Sequence, residues 1–444
     1  MSTSTGPNRR PTAALVTLLA VVLTLGAVVA CSSDDDGPGE AEPSGTSSTP
    51  RASGSDTTTS STTTTPAPTA AGPAGHPSAR PGLSARPGPA GGDVCGTDDA
   101  LAAIRSWPLR RRLGQLLMLG VDPSGPAEVT ATVTEHHVGS VFVGGNDTTL
   151  LASGTLGALR EAEPLGLWVA VDEEGGRVQR IDRLAGSIPS ARTQAAQMDA
   201  AGIRDMARAR GEQLTRYGVD VDLAPVVDLD GGPANTVVGD RSYSAAADQA
   251  ARLAGAFADG LTDAGVLPAI KHFPGHGRAS GDSHEGVVTT PPLAALEASD
   301  LLPFRALLTP DRWTMAMVGH LDVPDLTGGL PASLSAAAID LLRDDVGFRG
   351  VVITDDLSSM VAVTSRYTPT EAAVAALAAG VDVALLGDAD PAALLDALEA
   401  AVADGTLVED AVDAKVARIM RARGVDPCAV RDGPAQAGEA AARG

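Results

Sequence analysis

Histidine is scarce in this chain, with seven residues in 444, and cysteine scarcer still, with three. Cys31, Cys95 and Cys428 show no CxxC spacing, which argues against a zinc site built on thiolates. Positive charge is also short: 33 lysines and arginines face 55 acidic residues, for a net charge of -22. Nucleic acid would be repelled by that balance, and it gives no electrostatic reason to adhere to an acidic membrane. No GxGxxG follows the first apolar run of globular character, so the mark of a dinucleotide-binding sheet is missing.

What is present begins with an address. Arg9 and Arg10 precede the apolar run TAALVTLLAVVLTLGAVVA, which ends at Cys31 in the shape of a secretory signal. The end of the run, Val28, Val29, Ala30, Cys31, resembles a bacterial lipobox, whose cysteine becomes the lipid-bearing first residue after cleavage. An uncleaved anchor is the alternative, because the run is near the ~18 to 20 residues that span a bilayer. The run stops at a cysteine and not at a basic stop-transfer cluster, which favours the lipoprotein. Residues 1–30 are therefore read as a signal peptide and Cys31 as the lipidated residue. The rest is read as exported and tethered by lipid to the outer face of the bacterial cell membrane.

Residues 31–94 are dominated by Ser, Thr, Pro, Gly and Ala, cannot bury enough surface to offset their ordering entropy, and read as a disordered tether. Residues 429–444 read as a disordered tail. Cys95 and Cys428 bracket the globular part between them, and in an oxidising compartment they are a candidate disulfide, with two unrelated thiols as the alternative.

Short apolar runs recur through that globular part. They span 116–121, 140–145, 167–172, 219–225, 266–272, 314–320, 350–356 and 381–387. Continuous runs of this length suit strands buried on both faces, as a parallel sheet requires. Segments of helical character lie between them. One opens with Thr368, Pro369 and Glu371 in the N-cap, N1 and N3 places of a capping box. Eight alternations of strand and helix predict a single (β/α)8 TIM barrel over residues 95–428, with a doubly wound open sheet as the alternative.

In such a barrel the C-terminal strand ends form the active-site rim. Asp172, Asp228, Lys271, His272, His320, Asp355, Asp356 and Asp388 all fall at or just after predicted strand ends. A core would not collect charge there for stability. Carboxylates beside Lys and Arg suit a polyhydroxylated ligand, and the candidates for sugar contacts are Asp172, Arg180, Arg241, Lys271 and His272. Asp355 directly follows the run GVVIT, so a rigid strand would aim it into the rim as a nucleophile. The bland reading makes Asp355 and Asp356 helix N-caps.

The loop KHFPGHGRASGDSHEGV holds three of the seven histidines. Asp282 lies two residues before His284 and could orient its imidazole as a proton donor and acceptor, while Gly275, Gly277, Ala279 and Gly281 would let the loop swing over substrate. His276 reads as a structural ring at the base of the loop. A metal site at His272, His276, Asp282 and His284 is the other functional reading, but the spacing is not that of HExxH and no metal is expected.

KHFPGHG followed by DSH, together with VDEEGGRVQR, VVGDRSY and ITDDLSSM in the same order, resembles the β-N-acetylglucosaminidase branch of family 3 glycoside hydrolases. The resemblance runs from about Leu113 to Arg418. It implies a retaining double displacement with Asp355 as nucleophile and His284, assisted by Asp282, as acid/base, and it places sugar contacts at Asp172, Arg180, Arg241, Lys271 and His272. It implies no metal or organic cofactor.

Two departures from the pattern are visible. Arg278 stands where the family has an acidic or small residue, which would alter the charge near the leaving group, and Met360 is displaced by one place after the nucleophile. The expectation is a monomeric exo-β-N-acetylglucosaminidase acting on GlcNAc-containing muropeptides or disaccharides. The rivals are a phosphorylase, a non-catalytic amino-sugar-binding lipoprotein and a metal-dependent hydrolase.

Overall fold

The computed structural model describes residues 95–430. The signal peptide, Cys31, the tether of residues 31–94 and all but the first two residues of the 429–444 tail lie outside the described residues.

Each of the eight apolar runs holds one strand: β1 Leu117–Gly120, β2 Ser140–Phe142, β3 Trp168–Val171, β4 Val221–Asp222, β5 Leu267–Phe273, β7 Met315–Val318, β9 Val352–Thr354 and β10 Ala384–Leu386. Two shorter strands, β6 Val288–Thr289 and β8 Leu321–Asp322, pair with each other outside this sheet. The main sheet is parallel throughout and runs β10-β1-β2-β3-β4-β5-β7-β9. A parallel bridge between Ile353 and Val383, with the Asp382 and Val383 amides donating to Val352 O, joins its two ends. The ring therefore closes as a (β/α)8 barrel, and the open-sheet alternative, which would leave two free edges, is excluded.

Closure explains why the runs alternate so little. A barrel strand faces packed side chains inside and helices outside, so β3, β5 and β7 are buried along their whole length. The helix Ala247–Asp263 buries Ala250, Leu253, Ala254, Phe257, Ala258 and Leu261 at helical spacing, and Gly255, Ala256 and Gly260 as well, so it is covered on more than its sheet-facing side. The helix Pro369–Ala379 begins with the reciprocal capping box of Thr368 and Glu371 and stops at Gly380, whose φ of 112° suits glycine.

The N-terminal face of the barrel is closed by the helix Glu409–Arg423. The Arg423 guanidinium stacks 4.8 Å over the Trp168 ring and donates to Gln115 Oε1 and to the carbonyls of Gly139, Leu165 and Gly166. Burial pushes its pKa down to about 10. Beside it Asp382, fully buried, takes Arg343 on one oxygen and Arg418 on the other. The Cys95–Cys428 disulfide ties the first described residue to the chain just beyond this helix, across a sequence separation of 333.

Replacing Arg423 by Met should remove all four of these bonds under the barrel and orphan Gln115 Oε1, Leu165 O and Gly166 O, whereas Gly139 O keeps the Trp168 amide. The expected loss is on the order of 3 kcal/mol in denaturant unfolding, with a smaller loss for Lys, which cannot reach all four.

Candidate active site

Two strands bring one wall of the site together. Asp172 and Glu174 follow β3 two residues apart and therefore face the same way, while Lys271 projects from β5. Lys271 Nζ is buried and bridges the two carboxylates, 2.8 Å from Asp172 Oδ1 and 2.6 Å from Glu174 Oε1. Arg241 grips Glu174 in bidentate fashion, Nε to Oε2 at 2.7 Å and Nη2 to Oε1 at 2.8 Å, and Arg180 Nη2 lies 3.5 Å from Asp172 Oδ2. Burial alone would neutralise these groups. The Arg241 and Lys271 charges instead hold Glu174 far below the ordinary carboxylate range, and Asp172 and Glu174 raise Lys271 against the opposing effect of burial.

His272 stands next to this wall. Its Nδ1 lies 2.6 Å from Asp228 Oδ2, which fixes the ring, and its Nε2 lies 3.5 Å from Arg241 Nη2. Asp228 Oδ1 accepts the backbone amides of His276 and His272 at 2.7 and 3.3 Å. Burial works to raise Asp228, but His272 outweighs it and keeps the carboxyl below its usual pKa.

Asp355 follows β9, with its amide donating to Val318 O at 3.0 Å. Its Oδ1 accepts the Asp356 amide at 2.9 Å. Burial works to raise its pKa, yet His272, His320, Lys271 and that amide hold it below the ordinary value. Asp356 itself turns away: its carboxylate accepts from Ser358 N and Oγ, Ser359 Oγ and Gly387 N. His320 is buried and driven towards its neutral form by that burial, so its Nε2 donates to Asp356 O at 2.9 Å and its Nδ1 accepts from Ser333 Oγ at 2.7 Å.

The flap after β5 carries His284, whose Nδ1 and backbone amide both meet Asp282 Oδ1, at 2.8 and 2.9 Å. Partial burial would raise Asp282, and the His284 amide and ring more than offset it. The flap glycines are needed for room as much as for freedom. A Cβ at Gly277 would sit 2.1 Å from Leu229 O, and Gly275, at φ 128°, would meet Asp300 Cβ at 2.7 Å. The flap base is thus pinned, and swinging is confined to its tip.

Asp172, Arg180, Arg241, Lys271, His272, His284 and Asp355 all line one cavity of about 210 Å³, and Asp282 touches it through His284. Glu174, His276, Ser283 and Met360 line it too. Glu174 carried a readable signal, its two-residue offset from Asp172. His276 is more than a structural ring: its amide anchors the flap base, but its side chain faces the cavity and its Nε2 is buried without a partner. Arg278 does not charge the leaving-group side; it is spent on Asp300, Ser299 and Ala295 O. Asp356, Asp388 and His320, though at strand ends, do not line the cavity. The proposed metal ligands do not converge either: among the described residues the one compact group of three is Cys95, Asp426 and Cys428, whose cysteines are a disulfide. A larger depression of about 380 Å³ lies between the helices Ala200–Arg216 and Ala247–Asp263 and contains none of the strand-end groups.

Asp222, at the end of β4, accepts the Glu173 amide at 2.9 Å on Oδ1, while its Oδ2 is buried without a partner. Burial pushes its pKa well above normal, with nearby Glu173 and Asp172 adding to that. A raised carboxyl pKa means the folded state keeps a proton that the unfolded chain releases, so stability should fall as pH rises from ~4 towards the folded pKa. Asp222→Asn, which keeps the acceptor and carries no charge, should lose that part of the slope when Tm is followed between pH 4 and 7.

Residues 108–422 match the family model described as glycosyl hydrolase family 3 N terminal domain. The chain is 46% identical over 326 residues to beta-hexosaminidase LpqI of Mycobacterium tuberculosis, covering 72% of this chain and 83% of that one. A crystal structure of a GH3 family member from Mycobacterium smegmatis aligns with a TM-score of 0.70 at 48% identity, covering 72% of this chain and 98% of that one. The structure of a GH3 beta-N-acetylglucosaminidase from Paenibacillus sp. str. FPU-7 aligns with a TM-score of 0.67 at 32% identity, covering 74% and 64%. With a matched family domain over most of its length and a barrel whose strand ends converge on one charged cavity, the chain belongs to glycosyl hydrolase family 3 and is a glycoside hydrolase.

Proposed function

We propose that the chain is a retaining exo-β-N-acetylglucosaminidase that removes terminal GlcNAc from peptidoglycan-derived fragments. The observation that carries the reading is that Asp355 and the Asp282-oriented His284 open onto the same small cavity, whose far wall is the paired web of Asp172, Glu174, Lys271 and Arg241. A cavity of about 210 Å³ is below the ~300–1,000 Å³ of drug-sized sites and suits one sugar ring, hence action at a chain end.

Asp355, held ionised, attacks the anomeric carbon while the protonated His284 ring gives its proton to the departing glycosidic oxygen. A covalent glycosyl-enzyme on Asp355 results. Water then attacks the same carbon, His284 takes a proton from it, and Asp355 leaves as carboxylate, which restores the starting configuration. The relatives named beta-hexosaminidase and beta-N-acetylglucosaminidase support GlcNAc as the sugar removed. Export and lipid attachment at Cys31 complete the proposal on the strength of the sequence, and they would hold the enzyme beside the cell wall.

Asp355→Ala should lower cleavage of an aryl β-GlcNAc by at least ~10³-fold, and near wild-type rates would remove Asp355 from the mechanism. His284→Ala should cost ~10²–10⁴-fold on a disaccharide, whose leaving group needs the proton, and far less on an activated aryl glycoside. Equal losses would refute the acid role. An imidazole donor carries no permanent negative charge, which favours phosphate as a second possible acceptor. Accumulation of GlcNAc-1-phosphate in phosphate buffer would make the enzyme a phosphorylase.

A further inference from the structure

The flap is fastened firmly at its base. Arg278 binds Asp300, the Ser280 amide donates to Thr289 O at 2.9 Å, and β6 pairs with β8. Its tip, from Gly281 to Gly286, is held mainly by bonds within itself: the Glu285 and Gly286 amides donate to Asp282 O at 3.0 and 3.1 Å, and His284 donates to Asp282 Oδ1. Among the described residues, hydrogen bonds leave this tip only through Ser283. Its carbonyl accepts the Ala362 amide at 3.1 Å, and its hydroxyl donates to Met360 Sδ at 3.5 Å. Ser283 is 4% exposed, although His284 beside it is exposed.

Met360 and Ala362 are not remote residues. They continue the turn that begins at Asp355. Within it, the Asp356 carboxylate takes both Ser358 and Ser359, and the Leu357 amide donates to Leu385 O at 3.0 Å. The extra residue that displaces Met360 is accommodated here, since both serine hydroxyls bind Asp356 and Met360 still reaches the cavity. A rigid turn thus runs from the strand tip bearing Asp355 to the one point that holds the flap tip, and that point lies between Asp282 and His284.

We propose that Ser283 and Met360 are positioning residues, forming a clasp that holds His284 at a set place relative to Asp355. This rests on the reading of His284 as proton donor. A thioether is a weak acceptor and the amide bond is a single ordinary one, so the clasp biases the flap towards its closed place while letting it release for product exit. Loss of a contact of this kind is worth ~3- to ~10-fold in the closed-to-open ratio.

The test uses Ser283→Ala, which keeps the Ala362 bond and removes the hydroxyl, and Met360→Leu, which keeps an apolar side chain and removes the sulfur. Two readouts are needed. Hydrogen exchange of the Ala362 amide and of residues 281–286, measured without substrate, should accelerate ~3- to ~10-fold in each variant. On a GlcNAc disaccharide kcat should fall by a similar factor, with a clearly smaller loss on an activated aryl glycoside, because only the former depends on a well-placed proton. The double variant should be no worse than the worse single one, since the two side chains share one contact. Wild-type exchange together with an unchanged disaccharide-to-aryl ratio in both variants overturns the clasp. If wild-type protein cleaves neither substrate, the functional reading falls, and the exchange arm still decides whether the clasp exists.

Discussion

A buried ammonium held between two carboxylates is the interaction on which the site depends. Lys271 is 2% exposed, and burying it alone would favour its neutral form. Asp172 and Glu174 reverse that, and Glu174 is in turn saturated by Arg241. Each charge is tolerable only because the others are present. The web therefore keeps Glu174 and Lys271 charged at the mouth of an apolar barrel, with its donors and acceptors already aimed. A sugar hydroxyl entering it meets groups already paired and oriented, so little side-chain reorganisation is left to do.

The second constraint is the relation between a strand and a flap. Asp355 follows β9 directly, and its amide continues the ladder by donating to the Val318 carbonyl, which restrains its backbone. His284 sits on a segment whose base is anchored by Asp228, Asp300 and β8 and whose tip is anchored at Ser283. Rigidity on one side of the cavity and limited freedom on the other suit the proposed double displacement, in which one group would form a bond to carbon and the other would follow a proton. The opposite face of the barrel, held by Arg423, Asp382 and the Cys95–Cys428 disulfide, carries no such freedom.

Much of this was legible in the residues because strand ends are local. An apolar run ending in Asp, Lys or His marks a strand and its tip at once, so Asp172, Lys271, His272 and Asp355 could be placed without tertiary knowledge. The same logic overreached at His320, which binds Ser333 and the Asp356 carbonyl, and at Asp388, neither of which lines the cavity. Arg278 could not be read at all: its charge is cancelled by Asp300, which lies 22 residues further on and is brought back only by the fold.

The sequence by itself determined the count of barrel strands, the alternation of strand with helix and the chemical types gathered at one end, because hydrophobic period and strand polarity are properties of short segments. Only the tertiary structure decided which oxygen meets which nitrogen. Glu174 rather than a water completes Lys271, Asp228 joins His272 to the flap base, and Ala362 meets Ser283 across a gap of 79 residue numbers. Such pairings depend on how barrel closure brings distant loops within about 3 Å, the reach of a hydrogen bond, and no local pattern encodes that distance.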